Sequence, residues 1–243
     1  MSFHDHSSEL SLLNREAHLR PVQVHPWTYA VLNRAQRVHY ASKGLFDCTV
    51  ADALMHWQFL PKHDFHPEHL NVSQAQLELL PDGRVYYRNP IAIDLGGIAK
   101  GFAVDAVSEF LMQSGYKNHL VEIGGELRGA GVKPDGQPWW VALELPATNC
   151  PLPATRIALH GLGVATSGNY RRHYHQGTRL IQHTMDPRTG LPVAHSLSSV
   201  TVIHPACMLA DAWATALMVL GPKEGLDLAE KMQLSALLLL LAL

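Results

Sequence analysis

The sequence predicts an α+β fold in which mixed sheets pack against helices. Three observations carry that expectation. Short apolar runs with strand character outnumber helical stretches. The two kinds are interleaved through the whole chain rather than separated into blocks. No internal repeat, low-complexity linker or charge block interrupts them, so residues 1–243 are expected to form a single domain.

Taken in order, "HPWTYAVLNRAQRVHYASKG" reads as a helix, with Pro26 suited to its first turn and Gly44 to its stop. Val31, Ala35 and Val38 share one face of it. "SKGLFDCTVA" reads as a turn leading into a strand. In "KHDFHPEHL", His63, His66 and His69 recur at every third position, but Pro67 breaks any helix that would align them, so a polar loop is expected rather than a metal site. "QLELLPDGRVYY" reads as two strands around a Pro-Asp-Gly turn.

"IAIDL" reads as a short buried strand, and a helical period begins at Ile98. Ile98, Phe102, Ala106 and Phe110 would form its stripe, and Gly115 its end. "HLVEIGG", "WWVALELP", "RIALHG", "RLIQHTM" and "SSVTVIHP" are strand candidates. "PACMLADAWATALMVLGP" is a helix between Pro205 and Gly221-Pro222. "LSALLLLLAL" is too short to span a bilayer and reads as a buried strand or the stump of a truncated element.

Bulk properties narrow the function. The net charge of -2 and the lack of a Lys/Arg stripe argue against nucleic acid. Cys48, Cys150 and Cys207 are widely spaced and form no CxxC, so neither a zinc knuckle nor a disulfide framework is indicated. "MSFHDHSSEL" has no basic and apolar regions of a signal peptide, so the chain as written is expected to be cytoplasmic.

Several stretches could carry chemistry. In "AIDLGGIAKGFAVD" a strand, a Gly-Gly pair and a helix meet. Free N–H groups, a helix dipole and Lys100 suit a phosphate there; a tight turn capped by Asp94 is the alternative. In "LADAWATAL", Asp211 and Thr215 stand four apart, so both point from one helix face. A carboxylate in so apolar a helix calls for a partner, and a carboxylate with a hydroxyl suits Mg²⁺. The other possibility is an Asp211 that faces solvent or favours the early-helix dipole, with Thr215 as filler. "GVATSG" offers Thr166, Ser167 and Gly168 as a small polar turn, and His183 leads into Asp186-Pro187. "VEIGGELRGAG" is a second glycine corner of the same type, with a hairpin bulge as the alternative that the stretch alone favours.

Taken together and in this order, "GLFDCTVA", "IDLGGIAKGFAVD", "VEIGGELRGAG", "GVATSGNYRR", "HTMDPRTG" and "LADAWATAL" resemble the ApbE family of FAD:protein FMN transferases. The resemblance runs from about "SSELSLLN" to "ALMVLG". It implies an ApbE-like fold and Mg²⁺-dependent transfer of FMN from FAD to a threonine hydroxyl of an acceptor flavoprotein, with release of AMP. Carried onto this chain, it implies Asp211, Thr215 and the carbonyl of Gly97 as metal ligands. Asp94, Lys100, Ser167 and Gly168 become FAD-binding residues, and His183 the histidine near the reacting phosphate.

Redox membrane complexes are the family's frequent clients, so a subunit of one is the expected acceptor. Family members carry sequence ahead of the segment that begins here, and continue past its end. Truncation at both ends is therefore an expectation, as is the bacterial periplasm if an export segment is missing. The alternative functions are an FAD pyrophosphatase giving FMN and AMP, and an inactive truncated flavin-binding protein.

Overall fold

The computed structural model describes residues 1–61, 77–144 and 155–240. The His63, His66 and His69 stretch lies outside the described residues, as does Cys150. In chain order the elements are helix α1 (Glu9–Glu16), strand β1 (Val22–Gln23), α2 (Pro26–Ala41), α3 (Ala51–His56), β2 (Leu77–Leu79), β3 (Arg84–Tyr87) and α4 (Ala99–Gln113). Then come β4 (His119–Ile123), β5 (Glu126–Ala130), β6 (Trp139–Ala142), β7 (Arg156–Leu159), β8 (Leu162–Gly168), β9 (His173–Gln176) and β10 (Arg179–Gln182). The chain closes with β11 (Met185–Asp186), β12 (Leu191–Pro192), β13 (Leu197–His204), α5 (Cys207–Leu220), α6 (Pro222–Lys231) and β14 (Ser235–Leu240).

The α+β expectation holds, and among the described residues every strand pairing is antiparallel. The contacts divide the chain into two compact units, residues 1–99 with 173–194 and residues 100–172 with 195–243. Among the described residues no helix is long and apolar enough to cross a membrane.

In the first unit, β1, β3 and β2 form a three-stranded sheet. Gly83, at φ +83°, supplies the left-handed residue of the Pro-Asp-Gly turn between β2 and β3. Helix α2 starts at Pro26 and ends before Gly44 at φ +83°, as its sequence predicts. Val31, Leu32 and Ala35 are wholly buried along it.

Two expectations fail here for local polar reasons. "SKGLFDCTVA" does not enter a strand: the Asp47 carboxylate accepts from the Thr49 N–H at 2.8 Å and its hydroxyl at 2.7 Å. That cap starts a 3-10 turn, Cys48–Val50, which runs on into α3. Ile91, Ala92, Ile93 and Leu95 are buried, but residues 91–95 form no ladder among the described residues. The Asn14 side chain bonds both the N–H and the C=O of Ile93, at 2.9 and 3.0 Å, and the Asp94 N–H reaches the Cys48 carbonyl at 2.8 Å. Side chains and a loop carbonyl thus satisfy a backbone that a neighbouring strand would otherwise pair.

The second unit is built on a five-stranded sheet, ordered β14-β13-β8-β5-β4. Helix α5 packs on β8 and β13, and α6 packs on α5 and β14. Ala165, Val200, Val202, Ala210, Ala214 and Leu217 are buried in this unit. Within "LSALLLLLAL", Ser235–Leu240 form the edge strand β14, which is only partly buried. "GVATSG" is not a turn: Thr166, Ser167 and Gly168 close strand β8, where β13 pairs them with Thr201, Val200 and Ser199.

Helix α4 does not bury the predicted stripe either. Phe110 is 66% exposed, and the inward face is Gly101, Val104, Asp105 and Ser108. The polar residues face inward because they are hydrogen-bond partners for the rest of the unit.

Candidate active site

Ala206, at the N-cap of helix α5, brings no side-chain cap. The first N–H groups of the helix are satisfied from α4 instead. The Asp105 carboxylate accepts from Cys207 N–H at 3.0 Å and Met208 N–H at 2.9 Å, and Arg128 donates to it at 2.7 Å. Gly101, one turn earlier on α4, lets the helices touch: a Cβ there would lie 2.5 Å from the Cys207 carbonyl oxygen. Gly163 on β8 leaves the same kind of space, since its Cβ would lie 2.7 Å from that of Cys207. "AKGFAVD" is therefore a docking face for α5, with Gly101 and Asp105 four residues apart on it.

One turn into α5 stands Asp211, 3% exposed. Its Oδ2 accepts from the Gly101 N–H at 3.0 Å, one of the donors left open at the start of α4. Burial pushes its carboxyl up to about 7; the nearby Glu126 charge pushes the same way, and Lys100 and the Gly101 N–H partly offset both. Glu126, 1% exposed, accepts at Oε1 from the Lys100 ammonium. Its Oε2 has no hydrogen-bond partner among the described residues. Burial also holds the Glu126 carboxyl above its ordinary range, against the pull of Lys100. One turn further along α5, the Thr215 and Ser167 hydroxyls bond each other at 3.1 Å. Gly168 follows on β8; a Cβ there would lie 2.6 Å from the Tyr170 ring.

Of the predicted site residues, the second unit thus brings together Asp211, Thr215, Ser167, Gly168 and Lys100. Glu126 joins them; it was visible in sequence as the residue closing the second glycine corner, but its burial and its lysine were not. That corner is a two-residue hairpin between β4 and β5, with Gly124 and Gly125 at φ +63° and +97°. It is neither a strand-to-helix corner of the first kind nor a bulge, since β4 and β5 pair in unbroken register up to Ile123 and Glu126.

Asp94, Gly97 and His183 belong to the first unit. The Asp94 Oδ2 accepts from the Gly96 N–H at 2.9 Å, the capped turn named as an alternative above. A Cβ on Gly96 would lie 2.8 Å from that oxygen, so the glycine is needed for space. Gly97 follows in the turn that opens α4, four residues before Gly101. His183 is half-buried just past β10, its ring edge-on to Phe59 with centroids 6.1 Å apart.

A model of the ApbE family matches residues 1–238. This chain belongs to the ApbE family. It is 36% identical to the FAD:protein FMN transferase of Vibrio cholerae, over 98% of this chain and 74% of that protein. It is 35% identical to the protein of the same name from Haemophilus influenzae, over 99% of this chain and 74% of that protein. Among solved structures, the Pseudomonas stutzeri flavinyl transferase ApbE in its apo form superposes with a TM-score of 0.89 at 32% identity, over 100% of this chain and 78% of that one. The glycine corners, the "HTMDP" stretch and α5 thus all lie within the ApbE match.

Proposed function

We propose that this chain is an FAD:protein FMN transferase, acting over its 243 residues as one functional domain. It moves the FMN half of FAD onto a threonine hydroxyl of an acceptor flavoprotein, with a subunit of a membrane redox complex as the expected client. The observation that carries this reading is the buried Asp211, placed beside Glu126 and one turn from the Thr215–Ser167 hydroxyl pair, in a chain of the ApbE family.

The donors fit a hard cation. A buried carboxylate with excess negative charge around it gains from a bound cation, and carboxylate and hydroxyl oxygens are what Mg²⁺ accepts. Asp211, Thr215 and the Gly97 carbonyl would hold it. Among the described residues no group of three or more His, Cys, Asp or Glu side chains is arranged for a metal. The proposed set has one carboxylate and is a site of another kind. When bound, Mg²⁺ supplies charge neutralisation on the pyrophosphate.

The chain's own residues bind and orient. Lys100, Asp94, Ser167 and Gly168 hold the nucleotide. The threonine oxygen forms a bond to the FMN phosphorus as the bond from that phosphorus to the AMP oxygen breaks, and the electron pair leaves with AMP. The threonine proton passes to a base, and His183 is assigned that role. In-line placement of the hydroxyl is the remaining contribution.

The test is to incubate the protein with FAD, Mg²⁺ and an acceptor protein and read the acceptor by mass spectrometry. FMN on a threonine together with free AMP is the expected result. Free FMN and AMP with an unmodified acceptor would make the protein a pyrophosphatase. FAD bound without AMP release would make it a flavin-binding protein.

A further inference from the structure

We propose that Glu126 is a positioning residue that aims Lys100 at the nucleotide; this rests on the reading of Lys100 as an FAD contact. Three observations converge on that lysine. The Lys100 ammonium is bonded to Oε1 of Glu126, whose side chain is 2% exposed against 44% for the lysine. The lysine stem lies against the hairpin turn, where a Cβ on Gly124 would come within 3.3 Å of its Cδ. Gly101, the next residue of α4, is itself fixed by its N–H bond to Asp211.

The lysine is therefore held at its base by α4, along its stem by the turn and at its tip by Glu126. An ammonium has three N–H donors, and Glu126 Oε1 takes one. The 44% exposure of the side chain leaves the charge able to meet a phosphate.

Glu126 is an expensive way to close a hairpin. Its second oxygen is buried without a hydrogen-bond partner among the described residues, and a carboxylate left half-satisfied weakens the fold compared with an apolar residue of the same shape. A surface lysine needs no such anchor. A lysine that must present its charge at one point gains from it, because ordering the long stem beforehand removes that entropy from the binding step.

The test is FAD affinity, read by quenching of flavin fluorescence, for Glu126→Gln, Lys100→Met and the double variant, beside their melting temperatures. Glu126→Gln keeps the shape and removes the charge that anchors the lysine. Each single variant is expected to weaken FAD binding about tenfold, the loss of one charge-assisted hydrogen bond. The double variant should bind no more weakly than Lys100→Met alone, because Glu126 acts only through the lysine.

If Lys100→Met binds FAD normally, the lysine is no nucleotide contact and the reading beneath the inference falls. If Lys100→Met weakens binding while Glu126→Gln does not, or tightens it, the inference alone is overturned. Should Glu126→Gln fail to fold, Gly124→Asn tests the same point: asparagine tolerates positive φ, and its Cβ would press on the lysine stem. Weakened FAD binding supports the proposal, and unchanged binding overturns it.

Discussion

Asp52 on α3 and Asp211 on α5 are both aspartates buried to within a few per cent, one in each unit. Burial pushes the Asp52 carboxyl up to about 6 and the Asp211 carboxyl up to about 7. Their surroundings separate them. Asp52 accepts a long bond from the Ala92 N–H at 3.4 Å, and among the described residues its Oδ1 has no hydrogen-bond partner. Asp211 sits beside a second carboxylate and a lysine, one helical turn from a pair of hydroxyls. The lesson is that burial alone does not mark a site. The charge and donor chemistry gathered around the buried group does.

The comparison breaks most easily on activity. Asp211→Ala is expected to lower Mg²⁺-dependent AMP release at least about a thousandfold, the scale of losing a metal ligand in phosphoryl transfer. Its circular dichroism should stay that of the wild type. Asp52→Asn should keep the rate within about threefold. Comparable losses in both variants would erase the distinction.

The pH dependence of stability sharpens it. Both carboxyls titrate in the folded protein above their ordinary value of 3.8. Folding therefore binds protons between 3.8 and about 6 or 7, and their contribution is fully present below 3.8 and lost as pH rises through those values. Denaturant titrations between pH 4 and 8 should show a fall on the order of a few kcal/mol. Asp52→Asn and Asp211→Asn should each remove part of the slope. Mg²⁺ at alkaline pH should restore only the Asp211 share.

Packing gives a smaller effect. Gly101→Ala pushes a methyl group against the Cys207 carbonyl and should destabilise by about 1–3 kcal/mol in urea unfolding. The smallest change is Ser167→Ala, which removes one hydroxyl partner of Thr215 and should lower stability by about 1 kcal/mol.

Much of the fold was legible where local chemistry and tertiary packing agree. Helix α2 follows its Pro26 and Gly44 signals, and β2 and β3 follow their turn. Legibility failed where a distant side chain replaced a local rule. Asn14 satisfies Ile93 from 79 residues away, so residues 91–95 need no strand partner. Asp105 caps α5 from 102 residues away, which turns the polar side of α4 inward and leaves Phe110 outside. The two glycine pairs look alike in sequence, yet Gly96 serves a close approach by Asp94 and Gly124-Gly125 serve positive φ.

The candidate site was legible as a set of residue types. Asp211 and Thr215 stand out because a carboxylate and a hydroxyl four apart in an apolar helix are unexpected. The Lys100–Glu126 pair was not visible, because its members lie 26 residues apart on a helix and a hairpin.

The most direct measurement is calorimetric titration of Mg²⁺ into the FAD complexes of the wild type, Asp211→Asn and Asp52→Asn. Magnesium binding by the wild type and Asp52→Asn, with loss of the heat in Asp211→Asn, is the predicted result. Unchanged binding by Asp211→Asn would contradict the assignment of the metal to α5.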